Sequence, residues 1–95
     1  MLKIVLTDTA KFTLQAIFDT IEYKFNPTIA DAFLHKVEKI LTLVAATPEM
    51  FKSSPLSKNV RIGFISKQTS FFYQINNNTI VILYFWDNRQ EPLLY

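Results

Sequence analysis

Most of the β-strand signal in this chain lies in residues 58–92, KNVRIGFISKQTSFFYQINNNTIVILYFWDNRQEP. Residues 58–64, 69–76 and 79–86 within it either alternate apolar with polar side chains or are apolar throughout, which is typical of β-strands. The three asparagines at 76–78 predict a hairpin turn, because asparagine tolerates the left-handed backbone conformation that tight turns need. The stretch therefore predicts a three-stranded antiparallel meander.

The chain before the meander has the pattern of one strand and two helices. Residues 2–7 alternate apolar and polar side chains, as a strand with one buried face does. Apolar residues at helical spacing predict a helix over 9–25, capped by Thr7 or Asp8, and a second helix that starts at Asn26-Pro27. The short connection makes the helices an antiparallel hairpin, and residues 47–57 form a loop. We expect one α+β domain over residues 1–95, with the helices packed on one face of the sheet.

The strand over residues 79–86 is apolar on both faces. One helical hairpin covers only one face of a sheet, so part of this strand is expected to form an uncovered apolar surface for a protein partner. The alternative is that the sheet curls around a small core of its own. The residues expected on the uncovered surface are Phe72, Val81, Leu83 and Phe85.

Composition excludes several kinds of site. The absence of cysteine excludes disulfides, thiolate metal sites and a cysteine nucleophile, and a single histidine excludes a histidine-rich metal site. The single glycine excludes a glycine-rich phosphate loop. We expect no metal or cofactor. No apolar run is long enough for a membrane span, and the N-terminus lacks the features of a signal peptide, so we expect a soluble cytoplasmic protein.

The net charge of +2 is mild, but the charges are unevenly placed. Residues 50–86 contain no acidic side chain, while Lys52, Lys58, Arg61 and Lys67 all lie there. A basic region of this kind suits an anionic partner, either nucleic acid or an acidic protein segment. On spacing alone, the simpler explanation is that these four cations lie on solvated strand edges and loops and bind no partner.

One kind of catalysis is compatible with the composition. RNA cleavage by the 2′-hydroxyl group needs only lysine and arginine to stabilise the charged transition state, with a tyrosine or a basic group to move protons. This set of residue types permits such an activity without being diagnostic of it. The available residues are Lys52, Lys58, Arg61, Lys67, Arg89 and either Tyr84 or Tyr95.

The order of elements and several short residue series together resemble the RelE/ParE superfamily of toxins from type II toxin–antitoxin systems. The likeness covers essentially the whole chain, and the closing Arg-Gln-Glu-Pro series, residues 89–92, favours the ParE-like branch. The other matching series are residues 32–40 with Pro48 after them, Asn-Val-Arg at 59–61, Phe-Phe-Tyr-Gln-Ile at 71–75, and the apolar run from residue 79.

The resemblance implies a partner antitoxin, whose C-terminal segment folds on the toxin as a helix in a groove or as an added strand, in a hetero-oligomer. ParE-like members inhibit DNA gyrase without being hydrolases, whereas RelE-like members cleave messenger RNA on the ribosome. A third possibility is an inactive member that only binds antitoxin. We expect a gyrase-directed toxin that inhibits growth.

The resemblance also assigns candidate site residues, because Arg61 matches the family's strand arginine and Arg89 its C-terminal arginine. The antitoxin is expected on the uncovered surface defined above. If the chain is a ribonuclease, Arg61 and Arg89 are the catalytic candidates, with weaker matches at Lys52, Lys58 and Tyr95. If it binds gyrase, the expected target-binding residues are Arg61, Lys67, Arg89 and Gln90.

Overall fold

Five strands and two helices make up the computed structural model, which describes residues 1–55 and 57–90. The elements predicted from the sequence are confirmed to within a few residues at each end. The predicted loop at 47–57 contains one further short strand. The elements in chain order are β1 (Lys3–Leu6), α1 (Asp8–Lys24), α2 (Pro27–Ala46), β2 (Ser53–Ser54), β3 (Ser57–Ser66), β4 (Thr69–Asn76) and β5 (Thr79–Asp87).

The strands form one sheet in the order β1-β5-β4-β3-β2. Strand β1 runs parallel to β5, and the other neighbours are antiparallel. The turn between β4 and β5 confirms the prediction from the three asparagines, since Asn77 has a φ of 52°. The N-terminal strand therefore completes the far edge of the C-terminal meander.

Both helices begin at the caps that the sequence indicates. The Thr7 hydroxyl oxygen accepts a hydrogen bond from the Ala10 backbone N–H (3.0 Å), and the Asn26 amide oxygen accepts one from the Ile29 N–H (2.9 Å). Pro27 occupies the first turn of α2, where no hydrogen-bond donor is needed. Among the described residues, no helix is long and apolar enough to cross a membrane.

The helices pack together on one face of the sheet, as predicted for this α+β fold. Ile17 of α1 and Val37 and Leu41 of α2 share a buried cluster with the sheet residues Ile65, Phe71, Tyr73, Ile80, Ile82 and Phe85. Strand alternation places a second set of side chains on the opposite face, which we call the helix-free face. Its members are Val5, Ile62, Phe64, Phe72, Val81, Tyr84 and Trp86.

A β-bulge in β5 changes which side chains reach the core. Leu83 is the extra residue, because its neighbours Ile82 and Tyr84 pair with consecutive residues of β4. The extra residue shifts the alternation by one position, so Phe85 turns toward the helices and is only 1% exposed. The prediction that Phe85 belongs to an uncovered surface is wrong for this reason.

The bulge lies where β5 loses its neighbour β1. Strand β1 ends at Leu6, and α1 runs alongside β5 from there. The Thr7 hydroxyl donates to the Leu83 carbonyl (2.7 Å), and the Thr13 hydroxyl oxygen accepts from the Phe85 backbone N–H (2.9 Å). Two threonines near the start of α1 therefore satisfy backbone groups that a neighbouring strand would otherwise pair.

Candidate functional site

Two side chains of the central strands hold the loop that follows α2. Arg61 of β3 donates from Nη1 to the Phe51 carbonyl (2.6 Å), and the Tyr73 hydroxyl of β4 donates to the Pro48 carbonyl (2.8 Å). Tyr73 is fully buried, and burial raises the pKa of its hydroxyl although the nearby Arg61 charge works in the opposite direction. Arg61 therefore has a structural contact in addition to any role in binding.

Next to Arg61, strands β3 and β4 separate. Their ladder ends at the pair of Arg61 with Tyr73, although β3 begins at Ser57 and β4 continues to Asn76. Strand β2 pairs with the opposite edge of β3, so it does not fill the space beside β4. A pocket of about 370 Å³, which we call the strand cleft, lies between the two strands. It is lined by Lys58, Asn59, Arg61, Gln74, Ile75 and Asn76.

Arg89 is held by the carboxylate two residues before it. Its Nε and Nη2 donate to the two oxygens of Asp87 at 3.0 and 2.9 Å, and its backbone N–H also donates to Asp87 (2.9 Å). The hydrogen bond from Arg89 is the main reason why the pKa of Asp87 lies below its ordinary value. The Arg89 side chain remains 42% exposed, so it is both paired and accessible to a partner.

Asn88 fixes this C-terminal turn to the turn between β3 and β4. Its side-chain oxygen accepts from the Ser70 hydroxyl (2.7 Å), its side-chain nitrogen donates to the Lys67 carbonyl (3.2 Å), and its backbone N–H donates to the Gln68 carbonyl (2.7 Å). Sequence reasoning missed Asn88, which looked like one more polar tail residue. The exposed target-binding candidates Lys67, Arg89 and Gln90 consequently lie on two connected turns.

The structure does not gather the predicted catalytic residues in one place. Arg61 pairs with Tyr73, whereas the Arg89 turn follows the pair of Asp87 with Thr69. Four residues along β4 separate these positions, which is roughly 13 Å of strand. Lys58 shares the strand cleft with Arg61, and Lys52 borders a different pocket beside Phe64. Tyr95 lies outside the described residues.

The helix-free face is apolar, but its exposed members differ from those predicted. Phe64 is 49% exposed and Val5 is 39% exposed, and neither was expected there. Val81 and Leu83 are half-buried. Phe72 lies on this face, yet it is only 2% exposed and its ring stacks on Tyr84 with 4.5 Å between centroids. The prediction that Phe72 is uncovered is therefore wrong.

Metal binding has no obvious place in the described part of the chain. No group of three or more His, Cys, Asp or Glu side chains there is close enough to hold a metal ion. Lys58 and Arg61 line the strand cleft, and their positive charges favour an anion there over a metal cation.

Two solved structures illustrate the fold that this chain shares with known proteins. A chain of the chromosomal ParDE system from P. aeruginosa matches with a TM-score of 0.78 and 18% identity, over 92% of this chain and 96% of that one. A copper-bound mutant toxin from Helicobacter pylori matches with a TM-score of 0.60 and 22% identity, over 97% of this chain and 100% of that one. The chain therefore shares its fold with a chain of a ParDE system and with a bacterial toxin.

Comparison of the sequence with protein-family profiles identifies the family. The profile of the ParE toxin of type II toxin–antitoxin systems, parDE, matches residues 4–92. The chain belongs to the ParE toxin family, within the RelE/ParE superfamily. No protein of curated function shows significant sequence similarity to it.

Proposed function

We propose that this ParE-family toxin inhibits growth by binding DNA gyrase without hydrolysing a substrate, and that a cognate antitoxin neutralises it. The observation that carries the proposal is the distribution of the candidate arginines. Arg61 lies in the strand cleft and holds a loop carbonyl, while Arg89 lies on the C-terminal turn and is paired with Asp87.

This distribution suits a binding surface better than a nuclease centre. A ribonuclease needs its cations and its proton-transfer group around one phosphate, because they act together on the transition state. A protein interface instead uses contacts spread over about 800 Å² per partner. A net charge of +2 also provides little attraction to a ribosome, whose recognition requires many phosphate contacts.

The helix-free face is the surface that we assign to the antitoxin. Phe64 and Val5 are exposed there, and Val81 and Trp86 are half-buried beside them. An antitoxin segment that folds on this face removes apolar surface from water, which offsets the entropy lost in ordering that segment. The C-terminal turn with Arg89 and Gln90 remains as the contact for gyrase in this proposal.

Pulse labelling of DNA, RNA and protein synthesis in bacteria, just after induction of the toxin alone, tests the proposal. We expect DNA synthesis to fall first and co-expressed antitoxin to prevent the fall. An earlier fall in protein synthesis would instead indicate a ribosome-dependent ribonuclease of RelE type. No fall in any synthesis would indicate a family member that only binds antitoxin.

The same assay tests the arginines. Arg89→Ala should weaken growth arrest, while Lys39→Ala, which removes an exposed cation on α2, should leave it unchanged. Arg61→Ala should also weaken it, provided that circular dichroism shows a folded chain. Full growth arrest by both folded arginine variants would refute their assignment as target contacts.

A further inference from the structure

We propose that the strand cleft binds a carboxylate side chain presented by an acidic segment of a protein partner. The inference deepens the proposed function, because it identifies the chemistry of one contact between the toxin and a partner. It involves residues to which the family resemblance assigns no role, namely Asn59, Gln74 and Asn76, together with the cations Lys58 and Arg61.

The cleft begins where the ladder between β3 and β4 ends. The two strands pair from Arg61 to Ser66 of β3, whereas residues 57–60 of β3 have no partner among the described residues of β4. Strand β2 pairs with the opposite edge of β3 and does not fill this space. The ends of β3 and β4 therefore lie side by side without a continuous ladder, and side chains from both strands line the space between them. Adjacent strands normally close this space with backbone hydrogen bonds, so a split of this kind creates room for a ligand group.

The donors that line the cleft are not used elsewhere in the described structure. A guanidinium has five N–H donors, and within the part of the chain that the structure describes only Nη1 of Arg61 has a hydrogen-bond partner, the Phe51 carbonyl. Among residues 1–55 and 57–90, the side chains of Lys58, Asn59, Gln74 and Asn76 make no hydrogen bond with another residue. None of the described residues that line the cleft is acidic. Two cations with three amides are well matched to one carboxylate, which an arginine edge binds through paired hydrogen bonds.

A protein carboxylate fits better than a nucleic-acid phosphate. Nucleic-acid binding relies on a row of cations along a backbone and on aromatic rings that stack on bases. The described residues that line the cleft include two cations and no aromatic side chain, and the aliphatic side chain of Ile75 lies among them. Ile75 provides an apolar contact for the methylene groups of a glutamate, so we expect a glutamate-bearing segment.

NMR titration of the isotope-labelled toxin provides the test. The probe is an acetylated and amidated peptide with two adjacent glutamates flanked by leucines, and its control carries glutamines instead. We expect the glutamate peptide to shift the side-chain amide signals of Asn59, Gln74 and Asn76, with weak binding that the control lacks. Equal shifts with both peptides, or no shifts at these amides, would overturn the proposal.

Variants distinguish the cleft from a general charge effect. Arg61→Gln should weaken peptide binding about tenfold and Lys58→Gln about threefold, since a charge-assisted contact of a half-buried arginine is stronger than that of an exposed lysine. Lys39→Gln on α2 should change it by less than twofold. Lys58→Gln keeps the test valid if the loop contact of Arg61 proves essential for folding.

A titration with a single-stranded oligonucleotide distinguishes a protein carboxylate from a nucleic-acid phosphate as the ligand of the cleft. If it shifts the cleft signals with steep salt dependence and the glutamate peptide does not, the ligand is a phosphate and the proposal is wrong. The titration needs neither gyrase nor growth arrest. If the peptide does not bind but the toxin still arrests growth, the carboxylate site in the cleft is rejected and the proposed function is not. If the peptide binds but the toxin does not arrest growth, the proposed gyrase target is rejected and the cleft site is not.

Discussion

At Gly63, the ring of Phe71 from β4 lies directly against the backbone of β3. Gly63 pairs with Phe71, and a Cβ added to Gly63 would lie 2.3 Å from Cζ and 2.5 Å from Cε1 of that ring. Phe71 is fully buried and packs against the rings of Phe51, Tyr73 and Phe85, so the ring has no space to move into. We predict that Gly63→Ala lowers the free energy of unfolding by about 1–3 kcal/mol, measured by urea denaturation.

A double-mutant cycle tests the stated cause of this effect. Phe71→Ala removes the ring that collides with the new methyl group, so adding Gly63→Ala to that variant should cost little more. The same loss in both backgrounds would show that the ring contact is not the reason for the glycine.

Ionisation of Tyr73 makes the free energy of unfolding depend on pH in the alkaline range. We predict that Tyr73→Phe costs about 1 kcal/mol near neutral pH, because the buried hydroxyl donates to the Pro48 carbonyl. Burial raises the pKa of folded Tyr73 above its ordinary value of 10.0, so the unfolded chain loses this proton first. The contribution is complete below pH 10 and declines as the pH rises through the folded pKa.

Urea denaturation of the wild type and Tyr73→Phe from pH 7 to about 10.5 measures this contribution. The difference in unfolding free energy between the two proteins should shrink at the highest pH values. A constant difference over the whole range would contradict the coupling between burial and ionisation.

Contacts of single residues were the least predictable part of the chain. The sequence placed Arg61 on a strand but could not reveal its acceptor, because the Phe51 carbonyl is a backbone group that every residue type carries. The same holds for Tyr73 and Pro48. The strand cleft was equally hidden, since it depends on where the ladder between β3 and β4 ends.

At the scale of elements, α1 completes the hydrogen bonding of β5 at its bulge. Thr13 and Thr20 both donate to the carbonyl four residues earlier in α1, but only Thr13 also accepts the Phe85 backbone N–H. We predict that Thr13→Val lowers the unfolding free energy by about 1–3 kcal/mol, because it leaves that N–H without an acceptor. Thr20→Val is the matched control and should change stability by less than about 0.5 kcal/mol.

Urea denaturation of both threonine variants checks this prediction. Amide hydrogen exchange adds a local measurement, because the Phe85 N–H should lose protection in Thr13→Val and keep it in Thr20→Val. Equal stability of the two variants would mean that the threonine contact contributes nothing to β5.

The elements themselves were largely predictable because their signals are local. Thr7 and Asn26 cap the helices, and Asn77 takes the left-handed conformation in the hairpin turn, as their residue types indicate. The bulge at Leu83 has no such marker. The bulge lies where β1 stops pairing with β5, and these two strands are far apart in the sequence. It turned Phe85 to the opposite face of the sheet from the one expected.

At the scale of the whole molecule, the helix-free face is the feature with the clearest consequence in solution. Phe64 and Val5 are exposed on it, and exposed apolar patches promote association. We predict that the toxin without antitoxin self-associates as its concentration rises, and that Phe64→Lys shifts it toward the monomer. Light scattering after size-exclusion chromatography measures this, with Phe12→Lys on α1 as a control that changes another exposed phenylalanine.

An effect of equal size from Phe12→Lys would show that the association is not specific to the helix-free face. A wild type that stays monomeric at high concentration would contradict the prediction altogether.

A supercoiling assay with purified components tests whether the toxin acts by binding gyrase. Relaxed plasmid, ATP and gyrase are incubated with increasing amounts of the folded toxin, and the plasmid topoisomers are separated on a gel. We predict that supercoiling falls as the toxin approaches the gyrase concentration, and that Arg89→Ala requires more toxin for the same effect. Complete supercoiling in the presence of a large excess of folded toxin would contradict the claim.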